Sequence, residues 1–283
     1  MRGRAMRTRR IAAAVAAVLT AGTGAAGCGV AGADTVAGKK GLVIGVNADQ
    51  PGLGLRTGGS YSGFDVEVAR EIARRIGAKS GTPSFRPVTS ATRESMLESG
   101  DVDMVVASYS ITPERKTKVT FAGPYYVAHQ DVLVRASDAS VKDVRDLKGK
   151  RLCQVPGSVS FPRVTAERGV AALPVAAAGY TGCLDMLSSG ALDAVSTDDL
   201  ILAGLAAQAA RSGGARLRIV NAPISDEPYG VGLRRGDVTG CEAVNKAITT
   251  MYQDGTAARL LKTWFGPVGL NVTTTVPQFE GCD

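Results

Sequence analysis

The chain of 283 residues has one histidine, one tryptophan and few aromatic side chains, 5% in all. A single histidine, His129, excludes a histidine cluster for metal and leaves at most one candidate for a Ser-His-Asp triad. The stretch "GSVS" (157–160) does not fit the nucleophile elbow G-x-S-x-G. No phosphate-cradling G-x-x-x-x-G-K-[ST] occurs. "GLGLRTGG" (52–59) follows a strand-like run, but Thr57 stands in the third glycine slot of a dinucleotide fingerprint, and "GGSYSG" breaks the helix that should follow. No C-x-x-C spacing appears, which argues against zinc and thioredoxin-like chemistry. These absences leave no cofactor and no metal to expect.

What is present is apolar and small. Hydrophobic residues make up 45%, so Ala, Val and Leu carry the packing, and the length suggests two globular lobes. The net charge of +7 is concentrated at the start, where residues 1–27 hold Arg2, Arg4, Arg7, Arg9 and Arg10 and no acid. Taking those 5 from 33 basic side chains leaves 28 against 26 acidic ones, too even for a nucleic-acid footprint.

The basic start and the apolar run "IAAAVAAVLTAG" (11–22) read as an export signal over 1–27. The run is shorter than the ~20 residues that span a bilayer. "AAGC" (25–28) resembles a bacterial lipobox, with Ala25 where leucine is usual. It implies cleavage before Cys28 and lipidation of its thiol. Small residues over 28–40 read as a flexible tether to the outer face of the cell membrane. Cys153, Cys183, Cys241 and Cys282 remain, enough for two disulfides in three possible connectivities.

Along the chain, strand-like runs alternate with helical patterns. "GLVIGV" (41–46) is a strand. "GFDVEVAREIARRIG" (63–77) is a helix with Val68, Ile72 and Ile76 on one stripe, acids first and arginines last. "TRESMLESG" (92–100) is a second helix, capped by Thr89 or Ser90, and "VDMVVAS" (102–108) a strand. This β-α-β-α-β order implies an α/β fold with a largely parallel sheet. The rhythm restarts after residue 130: strands "DVLVR" and "RLCQVPG" with a helix over 141–147 between them, and helices over about 160–168 and over 181–189. Then come strand "LDAVST", helix "DDLILAGLAAQAAR", strands "RLRIV" and "YGVGLRR", and helices "CEAVNKAITTMYQ" and "TAARLLKTWF".

"ASYSITPER" (107–115) raises the functional question. A strand leaves the core and presents Ser108, Ser110 and Thr112, then Arg115. Thr112 suits an N-cap and Pro113 the first helical position. Arg115 then sits in a first turn, where the helix dipole disfavours a cation. An anion at this spot removes the conflict, because backbone N–H groups, hydroxyls and a forked guanidinium converge on it.

The same residues carry a resemblance. "GFDVEVAREIARRI" (63–76) and "GDVDMVVASYSITPERKTKVTFAGPYY" (100–126) are similar to successive blocks of the bacterial solute-binding proteins that serve polar amino-acid transporters. "LDAVSTDDLILAG" (192–204) and "EPYGVGLRRGD" (227–237) follow in the family's order, and the likeness spans roughly 40–266. The resemblance implies a type II periplasmic-binding fold: two α/β lobes joined by two crossing hinge strands, with an amino acid clamped between them. Its boundaries place 41–129 plus 226–283 in one lobe and 130–225 in the other. No catalysis is implied, and the partner is a membrane ABC permease met by a lipid-anchored monomer that binds no nucleic acid.

By the resemblance, Ser110 and Arg115 hold the ligand α-carboxylate. Ser108 and Asp198 hold the ammonium, Tyr109 belongs to the same contact stretch, and Ser158 and Ser160 in "PGSVSF" donate from the second lobe. Gln50 stands where relatives carry a covering aromatic. Arg93 lies where glutamate- and aspartate-binding members carry an arginine for the side-chain carboxylate; Arg56 is a further candidate. The pattern resembles glutamate-binding lipoproteins of high-GC Gram-positive bacteria, so glutamate comes first, then aspartate or glutamine. It pairs Cys153 with Cys183 and Cys241 with Cys282. Dehydratases acting on prephenate- or arogenate-like acids share the fold, as do ligand-sensing modules, and form the alternative.

Overall fold

The computed structural model describes residues 35–78 and 83–282; Cys28 and the export signal expected over 1–27 lie outside the described residues. The chain enters through β1 (Val43–Asn47). A small hairpin sheet follows, of β2 (Asp49–Gln50), β3 (Gly54–Thr57) and β4 (Ser60–Ser62). Helix α1 (Phe64–Arg75) buries Val68, Ala69 and Ile72, and carries Asp65 and Glu67 in its first turn and Arg74 and Arg75 in its last. Truncating a fully buried residue such as Ile72 to alanine costs ~2–5 kcal/mol. Next come β5 (Ser84–Val88), α2 (Arg93–Glu98), β6 (Met104–Val105) and the single turn α3 (Pro113–Lys116). β1 pairs in parallel with both β5 and β6, as the β-α-β-α-β rhythm requires.

β7 (Thr120–Arg135) then runs for 16 residues. β8 (Arg151–Gln154), α4 (Ser160–Pro162), β9 (Leu173–Ala176) and α5 (Tyr180–Ser189) follow it. The chain continues through β10 (Val195–Asp198), α6 (Asp199–Arg211), β11 (Leu217–Ile219) and β12 (Ser225–Leu233), and returns in α7 (Val238–Gln253) and α8 (Thr256–Phe265).

The main sheet has the order β10-β7-β12-β6-β1-β5, with β11 also on β7. β12 lies antiparallel along β7, and its last residues, Gly232 and Leu233, pair with β6. At the other end, β10 and β11 pair with Gln130 to Arg135 of β7. Two long strands therefore join two α/β lobes: a first lobe on β1, β5 and β6, and a second on β8 to β11. Val132, Leu147, Leu152, Val164 and Ala194 form a core confined to the second; Val88, Leu97, Val105, Tyr109 and Phe121 form one confined to the first.

Several local expectations change. The helix expected over 141–147 is a 3-10 turn, Val144–Leu147. Asp146 accepts the N–H groups of Lys142 and Asp143, which keeps them out of a helix. The helix expected over about 160–168 is α4 followed by a π turn, Arg163–Glu167. α2 starts after Thr92 rather than from a Thr89 or Ser90 side-chain cap, because the carbonyl of Thr89 takes the N–H groups of Thr92 and Arg93. The end of the expected tether is packed: Val36 is buried, its N–H donates to Asp237 at 3.0 Å, and Lys39 pairs with Asp103 at 2.7 Å.

Cys153–Cys183 joins β8 to α5, and Cys241–Cys282 ties α7 to the C-terminal tail.

Candidate functional site

The site is built where β6 ends. Ser108 stops the strand by turning to a positive φ of 43°, a region a non-glycine residue enters only under constraint. Two contacts hold it there. Its N–H donates to Asp65 Oδ2 at 2.8 Å, and its hydroxyl donates to Gln50 Oε1 at 2.9 Å. Asp65 also accepts the Tyr125 hydroxyl at 2.8 Å. Burial pushes the Asp65 carboxyl from 3.8 up to about 6, against the pull of Tyr125, Ser108 and Arg93. Gln50 is wholly buried and its Nε2 has no hydrogen-bond partner.

The next turn carries the cations. Thr112 caps α3 by accepting the Arg115 N–H at 3.2 Å, with Pro113 at the first helical position. This local geometry aims the Arg115 guanidinium back at the strand end, where Nη1 donates to the Ser110 carbonyl at 2.8 Å. Nη2 reaches the second lobe, donating to the Gly157 carbonyl at 2.9 Å. Arg93 enters from α2 and donates through Nη1 to the Ala107 carbonyl at 3.1 Å, while its Nε has no partner. Both guanidinia lie against Tyr109, with Cζ 3.7 Å from the ring centroid for Arg93 and 5.2 Å for Arg115. Every hydrogen bond recorded for either guanidinium ends on a neutral carbonyl; Glu94 Oε1 stands 3.7 Å from Arg115 Nε. Burial, then the charge of Arg115, pulls the Arg93 pKa down.

From the second lobe, Ser158 and Ser160 form a hydroxyl chain: Ser158 Oγ donates to Ser160 Oγ at 3.1 Å, which donates to Thr197 Oγ1 at 3.2 Å. Asp198 stands before α6 but makes no capping bond; its Oδ2 accepts the Tyr229 hydroxyl at 2.7 Å. Burial first, then the charge of Glu227, raises the Asp198 pKa far above the carboxylate range, while Tyr229 and Arg115 pull it back. A cavity of about 480 Å³ lies between the lobes beside Asn47, Asp49, Ser90 and Tyr180. Another of about 620 Å³ is lined by Ser90, Glu94, Arg115, Gly157 and Ser158.

Gln50, Arg93, Ser108, Tyr109, Ser110 and Arg115 thus come together at the first-lobe face, with Ser158, Ser160 and Asp198 in the second lobe. Tyr109 is fully buried, a platform under the guanidinia whose hydroxyl donates to Glu94 at 3.2 Å. Arg56 stays apart, on the Tyr61 ring of the β3–β4 hairpin. Asp65, Tyr229 and the Gly157 carbonyl escape a reading by sequence. Asp65 looks like an ordinary first-turn acid, and the other two act through contacts remote in the chain. Among the described residues no group of three or more His, Cys, Asp or Glu could hold a metal ion, and no helix is long and apolar enough to cross a membrane.

Two lobes on paired crossing strands, with convergent polar groups between them, define a solute-binding protein. The chain belongs to the bacterial extracellular solute-binding proteins, family 3, whose pattern matches residues 42–267. It is 38% identical over 267 residues to the glutamate-binding protein GluB of Corynebacterium efficiens, covering 89% of each chain. It is 33% identical over 226 residues to the ABC transporter glutamine-binding protein GlnH of Bacillus subtilis, covering 79% of this chain and 80% of that one. Among solved structures, an ancestral arginine-binding protein bound to arginine is similar at a TM-score of 0.72 and 32% identity, over 81% of this chain and 100% of that one. The fold is the type II periplasmic-binding fold, and the family is exported.

Proposed function

We propose that this protein captures an acidic amino acid, glutamate first, between its lobes and delivers it to an ABC permease in the membrane. The observation that carries the reading is the Arg93–Arg115 pair on Tyr109: two buried cations whose hydrogen bonds, among the described residues, end on neutral carbonyls, with Glu94 beside Arg115 Nε at 3.7 Å as a lone carboxylate at the pair's edge. Buried charges need partners. A ligand with two carboxylates supplies one to each.

In this reading Arg115 and the Ser110 hydroxyl hold the α-carboxylate, and Asp198 and the Ser108 hydroxyl hold the ammonium. Arg93 and the unpartnered Gln50 Nε2 take the distal carboxylate. Ser158 and Ser160 donate from the second lobe. Lobe one comprises 41–129 plus 226–283 and lobe two 130–225, with the hinge where β7 and β12 pass His129 and Asp226, which pair across the strands. Ligand contacts from both lobes favour the closed form. Residues 1–27 act as the signal and Cys28 as the lipid anchor of a monomer on the outer face of the membrane. The glutamate-binding relative supports the acidic ligand, and the glutamine-binding one supports only a polar amino acid of the same length.

Thermal unfolding against the twenty amino acids tests this. A ligand at 100 times its Kd adds about 2.7 kcal/mol to stability. The largest rise in Tm is expected with glutamate; a set of twenty flat traces overturns the reading.

A further inference from the structure

Asp49 stands apart from the groups assigned to the ligand. Its carboxylate crosses to the second lobe, where Oδ1 accepts the Tyr180 N–H at 3.1 Å; Thr181 contributes through its own N–H and hydroxyl. These residues open α5, and the position before the helix is Gly179, which offers no side-chain cap. Gly179 has an extended backbone with φ −171°, so its conformation does not demand glycine. Contact does: an added Cβ would overlap Asp49 Oδ2 and lie 2.9 Å from Asp49 Cγ. Asp49 is itself aimed by a local turn, its N–H donating to Asn47 Oδ1 at 3.0 Å.

We infer that Asp49 and Gly179 form a closing latch, a first-lobe cap for a second-lobe helix that sets how firmly the lobes close without choosing which amino acid is held. The inference rests on the clamp reading above. When the lobes part, the first N–H groups of α5 lose the carboxylate; when they close, the cap forms again. A side-chain cap is worth roughly 2- to 30-fold in an equilibrium. That factor multiplies the affinity of every ligand that needs the closed form.

Calorimetry with glutamate and glutamine on Asp49→Ala, Asp49→Asn, Gly179→Ala and the Asp49→Ala/Gly179→Ala double variant tests this, together with amide exchange at Tyr180 and Thr181 in the ligand-free protein. Asp49→Ala weakens both ligands by one common factor of roughly 2- to 30-fold, and their ratio stays as in the wild type. Asn, which keeps an acceptor, recovers part of the loss. Gly179→Ala is impaired, and adding Asp49→Ala to it relieves the impairment, because the methyl then has room. Exchange at Tyr180 reports the share of time the ligand-free wild type spends closed, with the cap formed, so it quickens in Asp49→Ala, a readout that needs no ligand and stands even if no amino acid binds. Unchanged exchange and affinity in Asp49→Ala overturn the latch. A changed glutamate-to-glutamine ratio also overturns it, by putting Asp49 on the ligand itself.

Discussion

Arg93 and Arg115 share one aromatic ring. Their Cζ atoms lie 3.7 and 5.2 Å from the centre of Tyr109, itself packed edge-on against Phe121 at 4.6 Å. The ring's π face offsets part of the repulsion between two buried cations, an interaction of ~0.5–2 kcal/mol per pair. Tyr109→Phe keeps the ring and loses only the hydroxyl's bond to Glu94, so amino-acid affinity is expected to stay within a few-fold of wild type. Tyr109→Leu removes the platform. It is expected to lower both affinity and the urea midpoint; a leucine variant that binds as well as the phenylalanine one would show the ring to be core filler.

The ammonium side makes a pH prediction. Burial holds the Asp198 carboxyl protonated to a higher pH than usual in the ligand-free cleft. A ligand ammonium needs the carboxylate, so binding expels a proton and affinity falls as pH drops below about 8. Calorimetry in buffers of different ionisation enthalpy is expected to detect the released proton, and Asp198→Asn to abolish it along with much of the affinity. Proton uptake by the wild type would reverse the sign and exclude this role.

Asp65 couples the site to stability. Its folded pKa of about 6 lies above the ordinary 3.8. The protonated form is therefore the favoured one when folded, and the stability this contributes is lost as pH rises through 6. The linked change between pH 4 and 7 is about 2 kcal/mol. Measured as the difference between wild type and Asp65→Asn, unfolding free energy should shift against the wild type over that window; two parallel pH profiles would count against it.

Local chemistry was legible in the sequence and remote contact was not. The Thr112 cap, Pro113 and the return of Arg115 follow from residues within one turn of each other, and α8 matches its apolar pattern over Thr256–Phe265. β7 was visible only as its last third, because Pro124 argues against a central strand. The fold accepts it through a bulge, the pairing slipping between Tyr229 and Val231 opposite it. β6 is shorter than its apolar run because Ser108 turns out of the ladder, a turn held by Asp65 and Gln50, 43 and 58 residues away. The family likeness named Asp198, whose place just before α6 would by itself suggest only a cap.

The two disulfides each stay within one lobe and leave the cleft free to open. Closing a loop of 30 residues is worth roughly 3–4 kcal/mol. Cys153→Ser/Cys183→Ser is expected to lose about that much in denaturant unfolding while keeping its ligand preference. Non-reducing peptide mapping that links Cys153 to Cys241 or Cys282 would contradict the pairing.

The central claim is that Arg115 and Arg93 divide the two carboxylates of one ligand between them, and titration of the arginine variants with glutamate and glutamine tests it most directly. Both ligands share the α-carboxylate, so Arg115→Ala weakens both about equally. Only glutamate brings a second negative charge, so Arg93→Ala costs glutamate on the order of 2–5 kcal/mol and glutamine much less. Glutamate binding left intact by Arg93→Ala, or a wild type that prefers arginine to glutamate, would contradict the account.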